Sequence, residues 1–256
     1  MSEMRKAQSW EDWGTVDPMY AILTDPQFRF GKGDLEFFLS TGAGTIDSLL
    51  KECDRLGICQ RRESALDFGC GLGRLTAPLS AHFDSVIGLD VAATMVTQAR
   101  AMHGDRCQFA VWQETDLAIY PSKSFDLVVS LLVLQHLPSR ALMEGFMAEF
   151  VRILRPGGAL VLNLPAVVPK PPVLPSWKTK EGIRKRLGIE LRRAGVSPDL
   201  LYRRLDWVPE MTMTAIPDLD ARRIFEAAGG EIRFVTEPTV ESGGTEDRTY
   251  YVGRRS

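Results

Sequence analysis

Cysteine is scarce in this chain: its 256 residues hold four, Cys53, Cys59, Cys70 and Cys107. None forms a Cys-x-x-Cys pair or falls at zinc-ligand spacing, which excludes a disulfide scaffold and a redox dithiol. Histidine is scarcer still, with only His82, His103 and His136, so no metal site is expected. Neither sign of charge dominates: 31 basic and 33 acidic residues leave a formal net charge of −2. Such a chain has no overall basic field to gather nucleic acid. Long apolar runs are missing too. The longest, Leu127 to Leu134, is interrupted by Ser130 and is too short to span a bilayer. Met1 to Ala7 carry charges and no apolar core, so no secretory leader and no membrane partner are expected. The setting implied is reducing and cytoplasmic. No internal repeat is present.

What is there is concentrated in one stretch. Ser64-Ala65-Leu66-Asp67-Phe68 leads into Gly69-Cys70-Gly71-Leu72-Gly73-Arg74, with glycine at every second position. A helical run follows, from about Arg74 to His82. Val86-Ile87-Gly88-Leu89-Asp90 is a second apolar run closed by a carboxylate. The order is strand, tight glycine turn, helix, strand, acid. Such a βαβ unit builds a nucleotide site at the carboxyl ends of parallel strands. The glycines let the chain turn sharply and a ligand come close, and the helix that follows presents unpaired N–H groups. Asp90 is placed to accept hydrogen bonds from two ribose hydroxyls.

The spacing separates two cofactors. A dinucleotide fingerprint is Gly-x-Gly-x-x-Gly. Here the third glycine slot holds Arg74 when counted from Gly69, and Thr76 when counted from Gly71. Asp67, just ahead of the glycines, would repel a pyrophosphate and suits a cationic amino group. S-adenosylmethionine carries an ammonium, a sulfonium and a ribose diol, and no phosphate.

Leu66 to Arg74 resembles motif I of the class I, Rossmann-like, S-adenosylmethionine-dependent methyltransferases, of the type 11 kind that acts mostly on small molecules. Two further stretches are similar to that family: Ser124 to Leu137, as fourth strand and exit, and the Leu154-Arg155-Pro156-Gly157-Gly158 turn before an apolar strand. The resemblance implies a cofactor site at Asp67, Gly69, Cys70, Gly71, Arg74, Asp90, Val91 and Met95, the last beside the adenine. After the third strand (Cys107 to Val111) the family carries an acid that meets the adenine amino group. In this sequence the slot holds Gln113, with Glu114 next to it, a departure from the pattern. Leu131 and Gln135 follow the fourth strand as cofactor contacts. His136 is the candidate general base if the acceptor is a hydroxyl, or else a packing histidine.

The flanks are less legible. Trp10, Trp13, Tyr20, Ile22 and Leu23 around Asp17-Pro18 predict short helices broken by a loop. Leu35 to Leu39 predicts another, ended by Gly42 and Gly44, after which Thr45 caps a helix through Leu56. These aromatics either pack as core or form a helical lid. Under the lid reading, Tyr20, Phe28 and Phe38 face the sulfonium and Arg29 pairs with the methionine carboxylate. Pro165 to Ser176 reads as a stiff connector. Thr179 to Ala194 reads as an amphipathic helix with Ile183, Leu187, Leu191 and Ala194 inward and a basic outer face. That face is either a solvated surface or a patch for an anionic acceptor. Residues 218–230 read as a capped helix. Ile232 to Val235 and Thr249 to Val252 are the last two strands, with Gly243-Gly244 turning between them.

The expected fold is α/β: a seven-stranded, mostly parallel, doubly wound sheet with an antiparallel last strand. A helical lid over residues 1–62 precedes a core of 63–256, which includes a helical insertion, 166–216, as substrate cap. The expected activity is methyl transfer from S-adenosylmethionine to a small or medium-sized acceptor, at oxygen or nitrogen before carbon. The alternatives are an RNA or protein methyltransferase using the basic insertion, and a non-catalytic cofactor-binding module. Either a monomer or a homodimer fits.

Overall fold

The computed structural model describes residues 3–168, 179–211, 213–240 and 245–255. The chain begins with helices α1 (Glu3–Val16) and α2 (Pro18–Leu23), a short 3₁₀ segment (Pro26–Gly31) and α3 (Leu35–Leu56). The central part runs β1 (Ser64–Phe68), α4 (Thr76–Leu79), β2 (Ser85–Asp90), α5 (Ala93–His103), β3 (Gln108–Val111) and β4 (Phe125–Ser130). A 3₁₀ turn (Leu134–His136), α6 (Arg140–Ile153) and β5 (Leu154–Val167) follow. Beyond them lie α7 (Lys180–Arg193), α8 (Pro198–Leu205), α9 (Asp218–Ala227), β6 (Gly230–Val235), β7 (Thr239–Val240) and β8 (Glu246–Arg254).

The sheet has the order β3-β2-β1-β4-β5-β8-β6, with the two-residue β7 added on β8. β1 to β5 pair in parallel, and β8 runs antiparallel to both β5 and β6. This is the expected seven-stranded, mostly parallel sheet with its reversed last strand. Every residue of β4 is buried, as befits a central strand covered on both faces. One face packs Leu66, Val128, Leu160 and Val252 against Phe146 and Phe150 of α6 and Phe225 of α9. The other packs Ala65, Leu127 and Val161 against Ile46, Leu49 and Cys53 of α3.

Four expectations about the flanks are corrected. Gly42 and Gly44 do not end a helix: α3 runs through both. Gly42 is in the helix because it lies against the backbone of Arg74, where a Cβ would stand 1.9 Å from the carbonyl oxygen. Thr45 turns its hydroxyl back to the Thr41 carbonyl, 2.8 Å away, instead of capping. α3 covers the sheet, while α1, α2 and the 3₁₀ segment bury Trp13, Val16, Ala21 and Phe28 in two smaller clusters.

The connector expected from Pro165 onward starts later. Pro165 pairs with Asp247 inside β5 and accepts a hydrogen bond from Ile216 N–H. A register shift next to it absorbs the missing donor. Residues 169–178, the rest of that stretch, lie outside the described residues, as does the Gly243-Gly244 turn.

Helix α7 forms where periodicity places it, but rotated. Ile183 and Leu187 are 56% and 48% exposed, and Ala194 is exposed as well. Three of its cations instead reach acids of other elements. Arg192 meets the buried Asp12 of α1 at 2.8 Å, Arg184 meets Asp206 at 3.2 Å and Lys185 meets Glu210 at 3.5 Å. Acids supplied by other elements decide which face of this helix packs. Three positions of the expected basic outer face are thereby neutralised.

Candidate functional site

The glycine turn after β1 is held by its backbone. Gly69, Gly71 and Gly73 have φ of 84°, 52° and 81°, a region that side chains with a Cβ rarely adopt. A Cβ on Gly69 would stand 2.2 Å from the Val133 side chain, and one on Gly71 would stand 2.7 Å from Ile22. Gly69 and Cys70 both donate to the Leu89 carbonyl, at 2.7 and 2.9 Å. Asp90 closes the arrangement from β2: one carboxylate oxygen accepts from Gly71 N–H at 2.8 Å and the other from Ala92 N–H at 2.9 Å. Burial raises its pKa, and those backbone donors oppose the shift.

Beyond the carboxyl ends of β1, β2 and β4 opens a cavity of about 410 Å³. It has the size and position of a ligand site in an open α/β sheet. The structure brings ten of the sequence-predicted residues to its wall: Gly69, Gly71, Asp90, Val91, Met95, Gln113, Glu114, Leu131, Gln135 and His136. At the exit of β4, Leu132 is left-handed at φ 62° and its N–H is held by the Asn163 side chain. This turn carries Gln135 and His136 to the wall. Gln135 is 2% exposed, and its amide oxygen has no hydrogen-bond partner among the described residues. The His136 ring lies edge-on to Trp10, with centroids 5.1 Å apart.

Six predicted residues lie elsewhere. The buried Asp67 accepts from the Thr76 hydroxyl at 2.6 Å, tying β1 to the first turn of α4. Arg74 is buried against α3, where it reaches Thr41 at 3.4 Å. The Cys70 thiol is packed beside Gly88, and burial raises its pKa well above the usual range. Tyr20 packs on Trp13. Arg29 pairs with Asp206 at 2.8 Å and sits over the Tyr20 and Phe30 rings. Phe38 is fully buried edge-on to Phe28. In each case a neighbouring element supplies a partner that turns the side chain away from the cavity.

Trp10, Ile22, Leu23 and Thr24 from α1 and α2, and Met211 and Met213 from the segment after α8, complete the wall. Leu137, Leu142 and Phe146 line it from the side of α6. Sequence reasoning expected a lid and a cap but singled out none of these residues in them. Only the cluster of tryptophans at the start of the chain hinted at one of them. Their placement rests on contacts distant in sequence. Ser9 donates to the Glu210 carbonyl, Arg192 pairs with Asp12, and Glu11 accepts from Thr94 N–H of α5 at 3.2 Å.

Burial pushes the Asp67 carboxyl up to about 6, against the Thr76 hydrogen bond and the attraction of Arg74. The folded protein therefore keeps this proton to higher pH than the unfolded chain, whose carboxyl titrates near about 4. Stability should fall as pH rises through that window, and above it a penalty of about 3 kcal/mol is in place. Asp67→Asn keeps an oxygen for Thr76 and removes the charge. The variant should melt above the parent at neutral pH, and the gap should close by about pH 4. Thermal melts at stepped pH measure this, and a gap independent of pH would contradict it.

The comparisons with known proteins agree with the fold. Residues 66–162 match a family described as a methyltransferase domain. The chain is 32% identical over 114 residues to the demethylmenaquinone methyltransferase of Tropheryma whipplei, covering 43% of this chain and 44% of that protein. It is 37% identical over 103 residues to the trans-aconitate 2-methyltransferase of Deinococcus radiodurans, covering 40% and 37%. The chain thus spans less than half the length of these relatives. Magnesium protoporphyrin IX methyltransferase from Synechocystis, solved with bound SAM, superposes with a TM-score of 0.60 at 18% identity, covering 99% of this chain and 98% of its own. The matched stretch, residues 66–162, holds the glycine turn, Asp90 and the β4 exit, and the fold around it is that of the Rossmann-like methyltransferases solved to date.

Proposed function

We propose that this protein transfers a methyl group from S-adenosylmethionine to a small-molecule acceptor, at oxygen. The observation that carries the reading is the joined geometry of the glycine turn and Asp90 at the mouth of the cavity. The turn leaves space where any Cβ would collide, and Asp90 presents a carboxylate pinned by two backbone N–H groups. These residues fit an adenosyl group: Asp90 for the ribose hydroxyls, Met95 and Leu89 as an apolar bed for the base, Gln113 and Glu114 for its amino edge. Asp67 acts from behind the turn, holding it to α4.

S-adenosylmethionine supplies an activated methyl carbon on a sulfonium, and in-line displacement there needs alignment and exclusion of water more than acid–base chemistry. The protein's part follows from that need. α1 and α2, the proposed lid, place Trp10, Ile22 and Leu23 over the cavity and keep water out. His136, at the wall beside Trp10, takes the proton of an acceptor hydroxyl as the oxygen–carbon bond forms. The segment after α8 belongs to the proposed substrate cap, 166–216. The four buried free cysteines support a reducing compartment. Among the described residues no helix is long and apolar enough to cross a membrane.

A thermal-shift comparison tests the cofactor. S-adenosylmethionine at a hundred times its dissociation constant should stabilise the protein by about 2.7 kcal/mol through mass action, and NAD should not. A shift with NAD alone would overturn the reading.

A further inference from the structure

The proposed function leaves the acceptor open, and the relatives do not agree on one: their names include demethylmenaquinone and trans-aconitate. Resting on that function, we infer that the acceptor is a neutral, largely apolar hydroxy-aromatic molecule of the phenol or quinol type, not a carboxylate.

The inference comes from the charge and chemistry of the cavity wall. Among the described residues that line it there is no lysine and no arginine, and its only carboxylates, Asp90 and Glu114, lie at the adenosyl end. The end nearest the β4 exit is walled by Trp10, Leu142, Phe146, Met211 and Met213. The polar groups there are Gln135 and His136. A carboxylate taken into such a chamber would lose its water without gaining a cationic partner, which is costly in a low-dielectric site. Three of the cations that the sequence offered for an anionic acceptor, and Arg29 besides, are committed elsewhere. Arg29 and Arg184 hold Asp206, Arg192 holds Asp12 and Lys185 holds Glu210.

The same wall favours a flat ring. Methionine side chains are long and polarizable and adapt to aromatic faces, and the Trp10 indole adds a rigid one. A hydroxyl on that ring meets a proton acceptor at the wall. Gln135, 2% exposed, borders the same part of the cavity, with its amide oxygen buried behind the wall. His136, the next residue, receives the proton as the hydroxyl oxygen bonds to the methyl carbon. The methyl–sulfur bonding pair stays on sulfur, so the sulfonium becomes a neutral thioether and the charge ends on His136.

Calorimetry on the full chain tests this with matched probes. S-adenosylhomocysteine is titrated first, so failure of the cofactor reading is seen on its own. The loaded protein then receives an alkyl hydroquinone and, separately, the benzoate bearing the same alkyl group. The hydroquinone should bind at least about tenfold more tightly. Met213→Arg, which adds a cation to the wall, should narrow or reverse that preference. Equal or tighter binding of the benzoate by the unaltered protein would overturn the inference, as would binding of neither probe to cofactor-loaded protein.

Discussion

Asp90→Ala should weaken S-adenosylmethionine binding by more than about tenfold. The carboxylate stands at the end of β2, and both of its oxygens are already fixed by Gly71 and Ala92 N–H at 2.8 and 2.9 Å. It therefore meets a ribose diol without having to be ordered first. Hydrogen bonds to a charged acceptor contribute about 1.5–3 kcal/mol, and alanine removes them all. It also leaves the Gly71 N–H without its partner inside the turn that the ligand must approach. Asp90→Asn keeps an oxygen for one donor and loses the charge, so its affinity should fall between the two. Calorimetric titration of the three proteins, each checked for an unchanged far-ultraviolet spectrum, measures the effect. Unchanged affinity in the alanine variant would remove Asp90 from the site.

The largest stability effect is expected at the opposite end of the sheet. Asp126, at the start of β4, is 2% exposed. One of its oxygens accepts from Glu63 N–H and Ser64 N–H, each at 3.0 Å, and Arg155 donates to the same carboxylate at 3.0 Å. One side chain thus joins the beginnings of β1, β4 and β5. Asp126→Ala should cost about 2–4 kcal/mol, because it leaves two backbone donors without their partner and takes from Arg155 one of its two acids, Glu63 at 3.0 Å being the other. Denaturant unfolding reads the loss. At temperatures where the variant is folded, its affinity for S-adenosylmethionine should match the parent's, since this cluster lies at the amino ends of the strands and the cavity at the carboxyl ends. A parallel loss of affinity would mean that the two ends of the sheet are coupled.

The parts of the site that were legible in the sequence are those carried by one short stretch. Gly69, Gly71, Asp90, Val91 and Met95 follow from a local pattern, because a tight turn between parallel strands constrains each position. Gln135 and His136 were legible for a related reason: polar residues at the carboxyl end of a buried strand have few places to go. Asp67 shows the limit of such reasoning. Its residue type was read as a ligand group, but the Thr76 hydroxyl, nine positions away, turns it inward.

Trp10, Met211 and Met213 were beyond reach, because no local pattern says that α1 and the segment after α8 meet over the sheet. That meeting is made by single contacts such as Asp12 with Arg192. Helix α7 was predicted as a helix and misjudged in orientation for the same reason. Its apolar stripe would face inward on its own, but acids on other elements overrule it. Gly42 was read for backbone freedom when its role is closeness to Arg74.

The reversed strand β8 bears on how the chain reaches this shape. It lies inside the sheet, between β5 and β6, and sets Gly253 opposite Ala159. Tyr250 and Val252 enter the core alongside α6 and α9. Until residues 246–254 are available, β5 has an open edge and that layer lacks a wall. An unpaired edge of this kind invites pairing between molecules. Contacts between such distant segments also form slowly. Assembly should therefore finish late, with a partly built sheet that is sticky and open to proteases until its penultimate place in the strand order is filled.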